Sequence, residues 1–239
     1  MWFFPTRKRP AWCQRLLNAC IDTGMTSPGL VVIDGKRTDY PDLRYRHVHN
    51  ISIVATEEHL EFCGVLRWIF RNYPYESFYG FICDDGIPRT PGWDKELEKT
   101  AGSWHLACSN DLLHECGRLT YGVFGGELVR AVGFLSPLGF IHLYIDNVWE
   151  YLDRALGIMR ERSDVVIEEM HFSNGKAPMD QTYERIYQGK PYGELDRAAF
   201  AAWIADITTI QMINRVRGLL EQRRLVNWIE TGNPDKGVT

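Results

Sequence analysis

Three short apolar runs, each ending in charged residues, constrain this chain more than anything else in it. Trp2-Phe3-Phe4 leads through Pro5-Thr6 into Arg7-Lys8-Arg9, Leu30-Val31-Val32-Ile33 into Asp34-Gly35, and Phe78 to Ile82 into Cys83-Asp84-Asp85-Gly86. None of the runs alternates polar with apolar residues, so each predicted strand needs cover on both faces, as in a parallel sheet. Between the first two runs, Trp12, Leu16, Leu17 and Cys20 fall near helical spacing behind Pro10, which suits a first helical turn. Ile51 to Val54 reads as a further strand. Thr56 is placed to cap a helix running to Asn72, with Glu57 and Glu58 in its first turn. Strands that alternate with helices in this way predict an α/β fold. In such sheets the ligand lies beyond the carboxyl ends of the strands. Here that rim would hold a basic cluster and three carboxylates.

Beyond residue 86 the pattern is looser. Gly122, Gly125, Gly126, Gly133 and Gly139 predict a turn-rich middle. Leu143 to Trp149 reads as a strand that breaks into a turn or helix at Asp146, and Val165 to Ile167 as one more strand, followed by Glu168-Glu169-Met170-His171. Residues 173–192 read as a loop carrying Lys176, Asp180 and Tyr183. Phe200, Trp203, Ile207, Ile210, Ile213, Val216 and Leu220 repeat at three and four, which predicts a long C-terminal amphipathic helix. The expected division is a main domain over residues 1–195, a helix over 196–231 that packs on it or forms a dimer face, and a frayed tail over 232–239.

Composition narrows the class. The chain has 239 residues, 45% hydrophobic and 24% charged, with a formal net charge of -4, which excludes disorder and a uniformly basic nucleic-acid coat. The charge is uneven: residues 1–50 hold eight Lys/Arg against four Asp, a net of +4. The six cysteines contain no CxxC pair, which points to reduced thiols and a cytoplasmic setting. No apolar run reaches about 18 residues, so no membrane span is expected. The opening has its apolar residues ahead of its basic ones, the reverse of a secretory signal.

The residues at the rim permit specific chemistry. Adjacent carboxylates at a strand end suit a hard divalent cation, Mn²⁺ or Mg²⁺, so Asp84 and Asp85 are candidate metal ligands, with His171 completing the shell. Arg7 and Arg9 suit bidentate contacts to a diphosphate or nucleotide, with Thr6 between the strand and the pair. Asp34 can accept from a ribose hydroxyl or a base, or simply close an Asp-Gly turn. Asp146 is the candidate general base. Tyr144 and Trp149 are expected to frame it, an apolar setting of the kind that raises a carboxyl pKa. Trp93 and Trp149 are candidate stacking surfaces for an acceptor.

Two blocks carry a family resemblance. Pro5-Thr6-Arg7-Lys8-Arg9-Pro10 resembles the P-T-R-x-R-P opening of GT-A-fold glycosyltransferases related to glycosyltransferase family 2. Phe81 to Asp94, with its Asp84-Asp85-Gly86 and Pro88-Arg89-Thr90-Pro91-Gly92-Trp93, resembles their acidic metal motif and flank, although the acids are adjacent rather than spaced as D-x-D. His142 to Trp149 falls where these enzymes carry the base, and Ile167 to His171 where a late His joins the metal. The resemblance covers residues 1 to about 185 and is strongest to small stand-alone enzymes of bacteriophages.

The resemblance implies a GT-A-like (Rossmann-like) fold, with a mixed, mostly parallel central sheet flanked by helices and a long C-terminal helix. It implies a metal-dependent inverting glycosyltransferase that moves a sugar from a nucleotide-sugar donor, UDP-sugar foremost, to an acceptor hydroxyl. Thr6, Arg7, Arg9, Asp34 and Asp84 would meet the donor, and Asp84, Asp85 and His171 the Mn²⁺ or Mg²⁺. Trp93 and Trp149 would meet the acceptor, and Asp146 would take its proton. One acceptor consistent with a phage enzyme is a hydroxymethylated pyrimidine in DNA, with Arg44, Arg46, His47 and His49 on the phosphates and a flipped base on the aromatics. A glycan or a small molecule is the other. A non-catalytic nucleotide- or glycan-binding module is the alternative of a different kind. A nucleotidyltransferase would show a Gly-rich loop where Thr6-Arg7-Lys8-Arg9 stands.

Overall fold

The computed structural model describes residues 1–43, 50–114, 118–189 and 191–231. Arg44, Arg46, His47, His49, Cys116 and the 232–239 tail lie outside the described residues. Strands β1 (Trp2–Thr6), β2 (Gly29–Ile33) and β3 (Ile51–Ala55) pair in parallel, and β4 (Phe78–Phe81) joins β1 from the other side. The remaining strands are β5 (Gly86–Pro88), β6 (Leu106–Asn110), β7 (Gly122–Gly125) and β8 (Met159–Glu169). The eight strands form one mixed sheet in the order β3-β2-β1-β4-β7-β6-β8-β5, with β7 antiparallel to both its neighbours. The first half of β8 runs parallel to β6, and its last residues pair antiparallel with β5 after a register shift at Ser109/Asn110.

The unbroken apolar runs are buried on both faces, as expected. Phe3, Leu30 and Val32 enter one core, whereas Trp2, Phe4, Val31 and Ile33 enter the other. This is the period of two along a strand. Helix α1 (Pro10–Asp22) covers the second core with Cys13, Leu16, Leu17 and Cys20, and α3 (Trp93–Ala101) joins it. Helices α2 (Glu61–Asn72), α4 (Gly126–Val132) and α5 (Ile145–Leu156) cover the first. Pro5 sits inside β1 without breaking the ladder, because the register with β4 ends at Phe3 opposite Phe81. There β4 parts from β1, and Asp84-Asp85 follow directly.

Three elements differ from expectation. Helix α2 starts at Glu61 rather than at Thr56, whose hydroxyl instead donates to the Glu58 carbonyl and accepts from the Gly35 N–H. Residues 141–144 form no strand, and α5 starts directly at Ile145. The single C-terminal helix is two. Helix α7 (Tyr192–Ala205) stops at Asp206, whose carboxylate accepts from the N–H and hydroxyl of Thr208 and so caps α8 (Ile207–Thr231). Ile213, Val216 and Leu220 are buried against the first core, but Ile207 and Ile210 are exposed, so the apolar stripe is only partly covered. A short α6 (Gln181–Glu184) lies within the 173–192 segment. No helix of the described residues is long and apolar enough to cross a membrane.

Gly80 is paired with Trp2, and a Cβ there would lie 2.5 Å from the Trp2 ring. Gly80→Ala therefore overpacks the junction of β1 and β4. It should lower stability by about 1–3 kcal/mol, read as a lower urea midpoint at unchanged slope.

Candidate functional site

The carboxyl ends of β1, β2 and β4 open into a cleft of about 330 Å³. Thr6, Arg7, Arg9, Asp34, Asp84, Asp85, Asp146 and His171 all line it, although they lie on five different segments. Lys8 adopts the left-handed region (φ 54°) and is exposed, and this turn lets the arginines on either side of it both reach the rim.

Arg9 is the centre of the rim. Its Nη1 is 3.1 Å from Asp84 Oδ1 and 3.5 Å from Asp85 Oδ2, while Nε and Nη2 grip both oxygens of Asp180 at 2.7 and 2.8 Å. The guanidinium also lies over the rings of Trp12 and Tyr183, at 4.8 and 4.2 Å from their centroids. Asp84 is almost fully buried, and its second oxygen accepts from Thr6 Oγ1 at 2.7 Å. Tyr40 completes a buried chain: its hydroxyl accepts from the Arg9 N–H and pairs with Thr6 Oγ1. Burial pushes the Asp84 carboxyl upward, against the pull of Arg9. Asp85 accepts from Tyr121 Oη at 2.9 Å and from Tyr183 Oη at 3.0 Å.

Arg7 forms a second knot. It meets Asp34 at 3.2 Å and Glu61 at 2.9 Å. Asp34 also accepts from the Leu60 N–H at 2.6 Å and so braces the start of α2 in addition to closing its own strand. Glu61 accepts from Arg185 and from Tyr192 Oη as well. Its carboxyl lies well below the ordinary range: burial opposes this, but His142, Arg185 and Arg7 around it prevail.

Asp146 stands in the first turn of α5, where a carboxylate is favoured. Of the aromatic frame expected around it, Trp149 turns into the core, while Tyr144 lines the same cleft. Asp146 Oδ2 accepts from Arg118 at 2.9 Å and its Oδ1 from the Asn147 N–H at 2.9 Å. Trp149 is 1% exposed, stacks near Phe124 at 4.5 Å and donates to the Leu135 carbonyl. Trp93 is fully buried, packs edge-on against Trp2 at 4.4 Å and donates to Thr23 Oγ1. Neither tryptophan offers a face to an acceptor, which corrects the stacking role expected of both. Their helical spacing already carries the reason. Trp149 is in phase with Ile145, Val148 and Leu152, and Trp93 with Leu97 and Ala101.

Asp84, Asp85 and His171, expected to hold a metal, do not gather as a ligand set. Asp84 has both oxygens committed to Thr6 and Arg9. His171 Nδ1 is taken by Ser173. Among the described residues, the ligand atoms that come within 4.8 Å of one another belong to Asp111, His114 and Glu169, not to Asp84, Asp85 and His171. Asp111, at the end of β6, accepts from Thr120 Oγ1, from His114 Nδ1 and from the N–H groups of Leu113 and His114. Glu169 Oε2 is buried and has no hydrogen-bond partner. An unpartnered buried carboxylate oxygen is costly, so this set fits a cation better than Asp84-Asp85 does. Glu169 adjoins a run read as a strand from sequence. Asp111 follows β6 (Leu106–Asn110), a strand not read from the sequence, where the middle was expected only to be turn-rich. Glu61, Tyr121 and Tyr183 carried no comparable signal.

No family model matches the chain, and no curated protein matches it. Solved structures do. The crystal structure of S. aureus TarS 1–349 in complex with UDP-GlcNAc is similar over 96% of this chain and 75% of that chain, at a TM-score of 0.54 and 12% identity. The fold is GT-A-like. The crystal structure of a mycobacterial protein is similar over 72% of this chain and 68% of that one, with a TM-score of 0.50 and 13% identity. Against the TarS 1–349 structure without a named ligand, this GT-A-like chain spans 59% of the other's length, at a TM-score of 0.48.

Glu169 makes the stability of the fold depend on pH. Burial, with Asp85 and Asp111 nearby, raises its carboxyl from 4.5 to about 8. Between those values the folded state keeps a proton that the unfolded chain releases, so folding is favoured on the acid side. Without metal, stability should fall as pH rises from about 5 to about 9, by at most about 4 kcal/mol. Glu169→Gln should flatten that slope, and Mn²⁺ should restore stability at the alkaline end, both read from thermal melts.

Proposed function

We propose that the protein is a glycosyltransferase that moves a sugar from a nucleotide-sugar donor, a UDP-sugar foremost, to an acceptor hydroxyl with inversion at the anomeric carbon. The observation that carries this reading is the convergence of Arg7, Asp34, Asp85 and Asp146 on one cleft at the strand ends of a GT-A-like sheet. That the TarS structure similar over 96% of the chain holds UDP-GlcNAc supports the donor class.

The donor would lie along the rim. Asp34, braced by Arg7 and the Leu60 N–H, would present its carboxylate to the nucleoside, and Arg7 beside it would face the donor. Arg9 is engaged by three carboxylates, so its part is to hold Asp84, Asp85 and Asp180 in register rather than to clamp the diphosphate. A divalent cation held by Asp111, His114 and Glu169 would neutralise charge on the departing diphosphate. Asp146 takes the proton of the acceptor hydroxyl as that oxygen attacks the anomeric carbon, while the bond from that carbon to the diphosphate oxygen breaks. Arg118 orients the carboxylate. One base with attack opposite the leaving group gives inversion, unlike the paired carboxylates of a retaining hydrolase.

The acceptor side is bounded by Phe62, Leu143 and Tyr144. Because Trp93 and Trp149 are core residues, a flipped base has no stacking partner among the aromatics expected to hold one. A hydroxymethylated DNA acceptor therefore rests on the phage resemblance and the basic 44–49 segment.

The test is a set of melts with nucleotide sugars, each with and without Mn²⁺, followed by transfer assays on glycan, small-alcohol and hydroxymethylated-DNA acceptors. A donor at about 100 times its Kd should add about 2.7 kcal/mol of stability. Asp146→Asn should keep that shift and lower transfer by about 10²–10⁴-fold. A wild-type chain that binds donor but transfers to no acceptor would instead indicate a binding module.

A further inference from the structure

Asp196 on α7 is a fully buried carboxylate that does not itself line the cleft. It is shut off from solvent, and among the described residues no ion pair reaches it. Its oxygens accept instead from three successive backbone N–H groups: Ile141 at 2.7 Å, His142 at 2.9 Å and Leu143 at 2.7 Å. Consecutive N–H groups that converge on one anion form a concave nest. Charge-assisted bonds of this kind are roughly twice as strong as neutral ones. The segment so gripped leads through Tyr144, itself at φ 65°, into the first turn of α5, where Asp146 stands. Tyr144 offers no side-chain cap to that turn. Two ring contacts add to the grip, His142 stacked on Tyr192 at 5.9 Å and Tyr144 against Phe200 at 5.8 Å.

From this geometry we infer that Asp196 is the positioning residue of the acceptor side: its carboxylate sets the 141–144 segment and, through it, the place of Asp146. Helix α7 thus braces, from behind, a segment that lines the cleft, as well as covering the core. The inference rests on the glycosyltransferase reading for its kinetic consequence but not for its structural one. Asparagine is nearly the same size but has no charge and only one acceptor oxygen, so its N–H₂ meets at least one of the three N–H donors and Asp196→Asn weakens the anchor without removing bulk. Asp196→Glu keeps the charge on a longer arm. Trp203→Leu serves as the packing control: Trp203 packs on Phe134 and Tyr151 from the same helix and does not line the cleft.

The experiment combines amide hydrogen exchange with steady-state transfer and donor titration on the full chain. In Asp196→Asn the amides of residues 141–143 should exchange at least tenfold faster. Its kcat should fall at least tenfold with the donor Kd within twofold of wild type, and Asp196→Glu should recover part of the loss. Trp203→Leu should melt earlier yet keep kcat within threefold. Unchanged protection at 141–143 in Asp196→Asn overturns the inference whether or not the chain is an enzyme. Faster exchange with unchanged kcat overturns the positioning role. Equal losses of kcat in Asp196→Asn and Trp203→Leu reduce it to packing. If the wild-type chain binds no nucleotide sugar, the functional reading fails, and the exchange arm still decides whether Asp196 holds the segment. Should Asp196→Asn not fold, Asp196→Glu carries the same readouts: faster exchange at 141–143 with kcat at the level of Trp203→Leu, or a tenfold loss of kcat with 141–143 still protected, would overturn the role.

Discussion

The buried guanidinium of Arg9 is the interaction on which the cleft depends. It joins the end of β1 to the acidic pair after β4 and to Asp180, 171 residues away in sequence. Each carboxylate it meets would be costly to leave unpaired in so dry a place, and the guanidinium would be too. Partial versions of the rim are therefore penalised. Asp180 is held twice over, since it also accepts from the N–H groups of Thr182 and Tyr183 at the start of α6. That brings Tyr183 to Asp85 and its ring under the guanidinium. The segment read from sequence as a plain loop is thereby built into the wall of the site.

Around this centre the charges are sorted by partner. Arg9 serves Asp84, Asp85 and Asp180; Arg7 serves Asp34 and Glu61; Arg118 serves Asp146. The cleft is thus largely a set of matched pairs, while Glu169 Oε2 is buried without a hydrogen bond, 3.6 Å from His114 Nδ1. Its position beside Asp111 and His114 makes that corner the place where added positive charge is worth most. The paired arginines at the other end hold shape, so the two ends of the cleft have different physical jobs.

How far the site was legible depends on what kind of signal each residue carried. Thr6, Arg7, Arg9, Asp34, Asp84 and Asp85 sit at the ends of strands whose apolar runs are unmistakable, and a parallel sheet gathers such ends whatever the strand order. Asp146 was legible as an acid entering a helix. Its neighbours were not: Arg118 pairs with it across 28 residues, and no local pattern announces such a pair. Trp93 and Trp149 were misplaced by the opposite error. Their nearness in sequence to acidic residues suggested the cleft, whereas their phase within α3 and α5 turns them inward. The C-terminal stripe was legible as helix, but the break at Asp206, and the exposure of Ile207 and Ile210 beyond it, follow from where α8 meets the core.

By itself, the sequence determined the alternation of strand and helix, the double burial of β1 and β2, and the gathering of basic and acidic strand ends on one rim. These follow from apolar periodicity and from the chirality of strand-helix-strand connections, both of which are local. Only the tertiary structure decided which charge neutralises which. It withdrew Asp84 into a buried pair with Arg9, brought Asp111, His114 and Glu169 together, and set Asp196 beneath the segment that carries Asp146. The physical reason is that a buried charge is satisfied by distance and orientation in space, and residues 55 or 171 apart in sequence come within 3 Å only once the helices and sheet have packed.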